Sequence, residues 1–369
     1  MRKTSTLDDL DKIKRVDRSD MLSIYMSAHR HYSEAAKLAE KVSVGYPKPR
    51  NIIVAGMGGS AIGGELLKDW TRNQIMVPIE ICREYSLPRY ANKNTLVVVN
   101  SYSGETEESL SVFLDAVRRK CMVACVASGG TLLDYAEKMV LPYIRVPQGI
   151  PPRAALPYLF TPLSIILEKI GLISGFETEF FEAVRVLKKI SKENSPAEPS
   201  DRNIAKTLAS CVCGTVPVTY SFGIYHAAAQ RFKTQFNENS KVPAKWEFFS
   251  ELNHNEVVGW EKAGKLAKCF SVIFIRDDEE PAPIRRRIET TKSLLPKSVR
   301  TFEVFSKGKG SLARMLSVVS IGDFASVYLA VLRGVDPTPV KTITMLKKEL
   351  EKGGVKKKVT HKLDSLVGK

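Results

Sequence analysis

The sequence lacks several features that would assign a class at once. Its 369 residues include six cysteines, which lie in or beside apolar runs without the paired spacing of a zinc knuckle, so buried thiols are expected. The N-terminal stretch MRKTSTLDDLDKIKR has no apolar core of a secretory signal. The longest apolar runs have the length of a strand, far below the ~20 residues of a membrane span. We therefore expect a cytoplasmic protein that contacts no membrane.

Acidic residues are also in short supply, with 40 Asp and Glu against 56 Lys and Arg and a net charge of +16. Residues 281–315 carry +7 and residues 352–369 carry +5, so most of the excess lies near the C-terminus. Neither segment has the interleaved aromatics of a single-strand nucleic-acid platform, and no zinc finger, RNA-recognition consensus or basic zipper is found. Nucleic acid is therefore not expected as a partner, and residues 352–369 are predicted to form a mobile basic tail.

A strand–loop–helix rhythm begins after Pro47-Lys48-Pro49, preceded by two helices predicted within residues 7–45. The strands are continuously apolar, as in a parallel sheet that helices cover on both faces. They are predicted at 51–56, 75–82, 94–100, 122–128 and 143–147. Strands that alternate with helices indicate a doubly wound α/β domain.

The second half restarts the same rhythm after a helical stretch at 156–193. Strands are predicted at 215–221, 269–275 and 300–306, and helices at 203–212, 223–236, 311–333 and up to Leu350. The stretch TYSFGIYHAA is weakly similar to NSYSGETEES of the first half. The sequence therefore predicts two α/β domains with mainly parallel sheets flanked by helices, and suggests duplication of one domain type.

Two loops of the first half follow strands and precede helices, where open α/β sheets bind ligands. One is the glycine-rich loop GMGGSAIGG (56–64), and the other is SYSGET (101–106), which carries three serine or threonine hydroxyls before a helix. Hydroxyls and backbone N–H groups at a helix N-terminus form an anion site without lysine, which favours phosphate binding over simple helix capping. A dinucleotide site is the alternative, since Gly56-x-Gly58-x-x-Ala61 fits the Rossmann pattern, with Glu80 or Glu84 as the ribose acid.

At these loops and further on, the sequence resembles the archaeal bifunctional phosphoglucose/phosphomannose isomerases of the phosphoglucose isomerase superfamily. The matching stretches, in order between residues 50 and 350, are GMGGSAIGG, NSYSGETEE, PQGIPPRAALPYL, FNENSKVPAKWEFFSELNHNEVVGW and RGVDPTPVKTITMLKKEL. The resemblance implies two sugar-isomerase (SIS) domains and reversible isomerisation of glucose 6-phosphate and mannose 6-phosphate to fructose 6-phosphate, without cofactor or metal. The expected divisions are an N-terminal helical arm (1–46), a first SIS domain (47–172), a second SIS domain with a C-terminal helix (173–352) and the basic tail (353–369).

The resemblance also implies a role for each matching residue. The sugar phosphate would be held by Gly59, Ser60, Ser101, Ser103 and Thr106. Catalysis would use Glu238 as the base, Arg153 beside C1 and C2, His254 for ring opening, and Lys347 at the ring oxygen, with Lys348 as the adjacent alternative. The superfamily's ring-opening histidine comes from the neighbouring subunit, which implies a homodimer.

The residues themselves suit this chemistry without proving it. Moving a proton between C2 and C1 through an enediolate requires a carboxylate and a cation near the oxyanion. By local pattern alone, Glu238 could be a solvated helix end and His254 a surface histidine, whereas Arg153 places a cation against a helix dipole, which favours a functional role. Two other functions stay open: a sugar-phosphate-binding SIS regulator without catalysis, and a nucleotide-dependent oxidoreductase.

Overall fold

The computed structural model describes residues 6–367, which form two compact units, each built around its own parallel sheet. The strands are β1 (Asn51–Ala55), β2 (Ile79–Cys82), β3 (Thr95–Asn100), β4 (Met122–Ala127), β5 (Tyr143–Arg145), β6 (Val216–Ser221), β7 (Lys245–Phe248), β8 (Phe270–Arg276) and β9 (Arg300–Phe305). The α-helices are α1 (Leu10–Val16), α2 (Met21–Met26), α3 (Ala28–Glu40), α4 (Gly59–Thr71), α5 (Glu107–Arg118), α6 (Gly130–Lys138), α7 (Leu156–Lys169), α8 (Phe176–Glu193), α9 (Ile204–Val212), α10 (His226–Glu238), α11 (Ala282–Leu294), α12 (Ser311–Arg333), α13 (Lys341–Lys352) and α14 (Val355–Val367). The predicted α/β class with parallel sheets and flanking helices is confirmed.

The first-sheet unit comprises residues 30–176 and 340–367. Its strands lie in the order β2-β1-β3-β4-β5, and every neighbouring pair is parallel. Alternate residues of β1 and β3, such as Ile53, Val97 and Val99, join a buried core with α5 and α6, while α4 packs against α7. Because both faces of the sheet are covered, the central strands are apolar at all positions except Asn51, Thr95 and Asn100 at their ends.

The second-sheet unit comprises residues 6–29 and 177–339. Its parallel strands lie in the order β7-β6-β8-β9, the same arrangement as β2-β1-β3-β4. By this order β6 corresponds to β1 and β8 to β3. The similarity between TYSFGIYHAA and NSYSGETEES therefore pairs non-equivalent strands, since the first follows β6 and the second follows β3. Strand β7 was absent from the sequence prediction because this partly exposed edge strand has no continuous apolar run.

Helix α12 is the central packing element of the second-sheet unit. It contacts α2, α9 and α10, and nearly all of its 23 residues are buried. Its length and composition alone would allow it to cross a membrane, but 94% of its most apolar window is buried inside the protein. Burial against neighbouring helices explains an apolar helix of this length.

The N-terminal arm does not form a single element. Residues 6–29 group with the second-sheet unit, where Met21, Leu22 and Tyr25 are buried and α2 packs against α12. Helix α3 continues into the first-sheet unit, where the Tyr158 hydroxyl donates to Glu34 at 2.6 Å. The arm therefore contains three α-helices rather than the two predicted. Residues 1–5 of the predicted arm lie outside the described residues.

The predicted mobile basic tail is wrong for residues 355–367, which form helix α14. Val359 and Leu363, one helical turn apart, are buried in the core of the first-sheet unit against α5. Helix α13, predicted with the second SIS domain, also groups with the first-sheet unit. The apolar residues of α14 have helical spacing, but its four lysines indicated a solvated segment instead. Residues 368 and 369 lie outside the described residues.

All six cysteines are free thiols. Cys82 and Cys125 are buried, as expected, and burial raises the pKa of both. Cys269 is exposed instead, because it precedes β8 at the end of a 3₁₀ turn. The expectation of buried thiols therefore holds for part of the set.

Candidate active site

The two loops singled out in the first half follow neighbouring strands. The glycine-rich loop leaves β1 and the hydroxyl loop leaves β3, and these strands pair directly. From β1 the chain continues to β2 towards one edge of the sheet, and from β3 it continues to β4 towards the other edge. Such a switch point opens a crevice at the carboxyl ends of the strands, and helix N-termini line it. We call this place the first switch point.

The glycine-rich loop at the first switch point needs a residue without a side chain. A Cβ at Gly59 would lie 2.7 Å from the carbonyl oxygen of Pro152 and 3.1 Å from the backbone nitrogen of Arg153. The next residue, Ser60, is buried, and its Oγ accepts a hydrogen bond from the backbone N–H of Tyr102 at 3.1 Å. The glycine-rich loop is therefore in direct contact with both the hydroxyl loop and the turn that carries Arg153.

The hydroxyl loop presents side chains that do not act as ordinary helix caps. Thr106 occupies the N-cap position of α5, yet no described side chain caps this helix, and the Ser101 hydroxyl lies 3.4 Å from that of Thr106. Gly58 at the start of α4 offers no cap either. At the start of α4, the N–H groups of Ser60 and Ala61 donate to the carbonyl oxygen of Met57 at 2.9 and 3.4 Å. The start of α5, which no described side chain caps, is therefore the helix N-terminus better suited to an anion. Ser103 is exposed and Ser101 is buried.

Gly104 fixes the shape of this loop. Its φ is +67°, and a Cβ there would lie 1.9 Å from the carbonyl oxygen of Gly129 in the loop after β4. The backbone N–H of Leu132 also donates to the carbonyl of Gly104 at 3.0 Å. A side chain at Gly104 would therefore push the hydroxyl loop away from its support.

Arg153 lies in a 3₁₀ turn (Pro152–Ala154) just before α7, and it is buried with 4% of its surface exposed. Tyr102, which the sequence analysis did not single out, holds the segment leading to it. Its hydroxyl donates to the carbonyl of Pro147 at 2.9 Å and accepts from the N–H of Ile150 at 3.2 Å. Burial raises the pKa of Tyr102, so the phenol stays neutral. Tyr102 thereby links the hydroxyl loop to the arginine segment.

Glu105 is a second residue that the sequence analysis missed. Its carboxylate accepts from the backbone N–H of Thr131 at 2.7 Å, from the Thr131 hydroxyl at 3.1 Å, and from Lys356 of α14. Burial raises the pKa of Glu105, but the Lys356 and Thr131 contacts outweigh burial and hold the pKa below its usual value. An ionised carboxylate therefore lies within the loop proposed to bind a phosphate.

Glu238 is the last residue of α10 in the second-sheet unit and is partly buried. The Lys241 ammonium donates to the carbonyl oxygens of Glu238 and of Pro337, the latter at 2.8 Å. This lysine therefore ties the end of α10 to the segment that follows α12. A cation at a helix C-terminus also offsets the negative end of the helix dipole.

A buried polar network supports α10 on the side of α12. Arg231 forms a two-pronged pair with Asp323, at 2.8 and 2.9 Å. Gln235 donates to the same carboxylate at 2.7 Å, and Asn239 donates to Ser326 at 2.8 Å. Arg231 and Gln235 precede Glu238 on α10 and Asn239 caps the helix, so their bonds to α12 fix the orientation of the helix end that carries Glu238.

His254 lies on the exposed surface, at the end of a 3₁₀ turn (Glu251–His254). Helix α10 ends before β7 begins and the His254 turn follows after β7 ends, so Glu238 and His254 flank that strand at opposite ends. Trp260, shortly after the turn, donates to Tyr220 near the carboxyl end of β6 at 3.1 Å, which keeps this segment at that edge. The structure thus separates Glu238 from His254 of the same chain by the length of the strand.

Lys347 and its neighbour Lys348 both lie on α13, and both are exposed. Nothing in the local geometry distinguishes one from the other. Within residues 6–367 no three His, Cys, Asp or Glu side chains are grouped to hold a metal ion.

Comparison with known proteins identifies the family to which the chain belongs. The family described as bacterial phospho-glucose isomerase C-terminal SIS domain matches residues 201–350. A bifunctional phosphoglucose/phosphomannose isomerase from Caldicellulosiruptor bescii is 39% identical over 301 residues, covering 81% of this chain and 89% of that protein. One of the same name from Aquifex aeolicus is 34% identical over 306 residues, covering 82% and 91%.

A solved structure supports the same fold. The glucose-6-phosphate isomerase like protein from Thermus thermophilus aligns with a TM-score of 0.60 at 18% identity, covering 94% of this chain and 99% of that one. At this identity the likeness concerns the fold alone. The sequence relatives, however, match across four fifths of the chain and nearly their own full length. The chain belongs to the bifunctional phosphoglucose/phosphomannose isomerase family.

Proposed function

We propose that this protein interconverts glucose 6-phosphate or mannose 6-phosphate with fructose 6-phosphate, as an aldose–ketose isomerase of its family. The observation that carries the proposal is the first switch point. There, two helix N-termini without side-chain caps lie beside Ser60, Ser101, Ser103 and Thr106, and the Arg153 turn touches Gly59. This arrangement suits a phosphate dianion with a buried cation nearby.

The chemistry assigned to Glu238 is proton transfer between C2 and C1. In the direction from aldose to ketose, the Glu238 carboxylate takes the C2 proton while the C1 carbonyl oxygen gains negative charge. The hydroxyl proton on O2 then passes to O1, the C2 carbonyl forms, and the Glu238 carboxyl group returns its proton to C1. Arg153 stabilises the developing oxyanion. Both C2 epimers can feed this intermediate, since the stereocentre at C2 is lost in it, and two relatives carry both activities in their names.

Ring opening is assigned to His254, with Lys347 at the ring oxygen. We propose that His254 reaches the site of a partner subunit in a cytoplasmic homodimer. The placement of Glu238 and His254 at opposite ends of β7 supports this, because one chain would need to bridge the strand to bring them to one sugar. The symmetric arrangement would give each dimer two composite sites.

The primary experiment is an assay of fructose 6-phosphate formation with each aldose phosphate in turn, repeated in D₂O. Proton transfer through an enediol predicts turnover of both epimers and deuterium at C1 of the product. Turnover without any solvent-derived deuterium would remove support for the carboxylate shuttle. Absence of turnover with tight hexose-phosphate binding would favour the non-catalytic regulator.

The oxidoreductase alternative predicts that NAD(P) raises the melting temperature, which the isomerase does not require. The expectation that nucleic acid is not a partner draws support from the basic segment 281–315. In this segment, four basic side chains form ion pairs with acidic side chains of the second-sheet unit: Arg285, Lys292, Lys307 and Arg314.

Subunit sharing is tested by mixing two inactive variants, Glu238→Gln and His254→Ala. If each site takes Glu238 and His254 from different chains, a mixed dimer has one site with both changes and one intact site. Random exchange of subunits should then restore about a quarter of wild-type activity. If one chain supplies both groups, every site in the mixture carries one change and no activity returns.

A further inference from the structure

Helix α14 contacts the hydroxyl loop through an ion pair. The Lys356 ammonium, in the first turn of α14, bonds to Oε2 of Glu105 in the hydroxyl loop. On its other side, Oε1 accepts from the backbone N–H of Thr131 at the start of α6. Both carboxylate oxygens are therefore engaged by groups behind the loop. This pair lies wholly within the first-sheet unit.

The helix that carries Lys356 is firmly placed. Val359 and Leu363 are buried against the core of the unit, and the Tyr135 hydroxyl lies 2.5 Å from the Asp364 carboxylate and 3.2 Å from the carbonyl of Thr360. Lys356 is less than half exposed, whereas Lys357 and Lys358 are exposed. Packing of α14 therefore fixes the backbone at Lys356 independently of the ion pair.

Glu105 poses an electrostatic problem for a phosphate site. It lies between Ser103 and Thr106, and the backbone N–H of Glu105 lies 3.3 Å from the Ser103 hydroxyl oxygen. An ionised carboxylate that turned towards the bound phosphate would repel the dianion and compete for the same N–H donors. The loop therefore works as an anion site only while the carboxylate is held away and its charge is offset.

We propose that Lys356 is a positioning residue for substrate binding: it holds the Glu105 carboxylate behind the hydroxyl loop and neutralises it, so that the loop's hydroxyls and N–H groups face the sugar phosphate. The inference rests on the proposed function, since it assumes that the hydroxyl loop binds phosphate. Lys356 acts through Glu105 and does not itself touch the substrate. Helix α14 thereby supports the proposed binding site without contacting the ligand.

The test compares Lys356→Met with Lys358→Met, which removes the same charge from an exposed position of the same helix. Lys356→Met should raise KM for both aldose phosphates and Ki for inorganic phosphate by a common factor of roughly fivefold, with kcat unchanged. Lys358→Met should alter each constant by less than about twofold. Lys356→Arg should restore most of the affinity, because it returns a cation to the same carboxylate.

The role of Glu105 is isolated by repeating the comparison in a Glu105→Gln background. The amide can keep the bond with Thr131 but carries no charge, so Lys356→Met should then have little effect on KM or Ki. An unchanged effect in that background would show that Lys356 acts on the phosphate directly, and the proposal would be wrong. It would equally be overturned if Lys356→Met left both constants at wild-type values or lowered kcat alone.

Failure of the proposed function gives a different pattern. If the wild-type protein binds inorganic phosphate without isomerising sugars, calorimetric phosphate titration still measures the Lys356 effect, and only the reaction is reassigned. If the wild-type protein isomerises both sugars and Lys356→Met matches Lys358→Met, the reaction stands and the positioning role is rejected. A melting temperature for each variant separates loss of folding from loss of binding.

Discussion

The two sheets of this protein share a strand order but differ in the loops that leave equivalent strands. After β3, the first switch point has Ser101, Ser103 and Thr106 beside uncapped helix N-termini. After β8, the equivalent strand, the chain continues Asp277-Asp278-Glu279-Glu280-Pro281. The hydroxyl loop after β3 suits an anion, whereas the loop after β8 carries four carboxylates. We call the loop after β8 the acidic loop.

The acidic loop is occupied by internal ion pairs. Arg276, at the end of β8, bonds to the buried Glu280 at 2.5 Å, and Arg314 pairs with Asp277 at 3.2 Å. The hydroxyl of Tyr225, which follows β6, bonds to the Asp277 carboxylate. In the second sheet, the place equivalent to the proposed phosphate site is thus filled by the protein's own charged side chains.

The comparison shows that topology provides a site and loop chemistry decides its use. The second-sheet unit contributes its proposed functional groups elsewhere, with Glu238 at the end of α10 and His254 after β7. Under the proposed function, the first-sheet unit carries the phosphate-binding residues together with Arg153 and Lys347, and the second-sheet unit carries Glu238 and His254. Each of the following predictions tests one side of this division.

The largest expected effect is a loss of kcat when Glu238 of the second-sheet unit is changed. Glu238→Gln should lower kcat by about 10³-fold or more and leave KM within about threefold, because the amide cannot accept the C2 proton while the phosphate contacts persist. Steady-state kinetics with both aldose phosphates would measure this. Glu261→Gln, at an exposed acid of the same unit, is the control. Near-wild-type kcat in Glu238→Gln would assign the base to another residue.

The next effect is on stability at the acidic loop. Arg276→Met should lower the free energy of unfolding by ~3–5 kcal/mol, because it leaves the buried Glu280 carboxylate without its closest cation. Arg285→Met removes a half-exposed partner of the same carboxylate and should cost only ~0–1 kcal/mol. Urea unfolding would measure both changes. Equal losses in the two variants would contradict the view that the Arg276 pair holds the acidic loop together.

The same pair predicts a pH dependence. Burial raises the pKa of Glu280, but the Arg276 contacts outweigh burial and hold the pKa below its usual 4.5. A carboxyl with a lowered folded-state pKa stabilises the protein above its unfolded value, and this stabilisation is lost as the pH falls through the folded-state pKa. The difference in unfolding free energy between wild type and Arg276→Met should therefore be full above about pH 5 and shrink in acid.

The parallel sheets and the position of the first switch point could be predicted from the sequence. Continuous apolar strands followed by glycine or hydroxyl loops predicted the parallel sheets and the first switch point, because those features follow from local periodicity and turn chemistry. Arg153 is buried beside the start of α7, and its proposed role stays a prediction. The roles of Glu238, His254 and Lys347 depended on family resemblance and stay predictions.

The rest depended on contacts between residues distant in sequence. Glu105 and Lys356 are far apart in the chain, and only the packing of Val359 and Leu363 brings them together. Tyr102 gains its role from Pro147 and Ile150 in the same way. The run of lysines in α14 indicated a solvated tail, although apolar residues at helical spacing lay between them. Local charge therefore concealed a buried face.

The smallest expected effect concerns a single hydroxyl at the first switch point. Ser103→Ala should raise KM for both aldose phosphates and Ki for inorganic phosphate by about fivefold, or ~1 kcal/mol, because one hydrogen bond to the phosphate is lost. The rate constant kcat should not change, since the phosphate is equally bound in ground and transition states. Ser86→Ala, at an exposed hydroxyl of the same unit, should change neither constant. If Ser103→Ala leaves phosphate binding intact while Arg314→Met at the acidic loop weakens it, the assignment of the two loops is reversed.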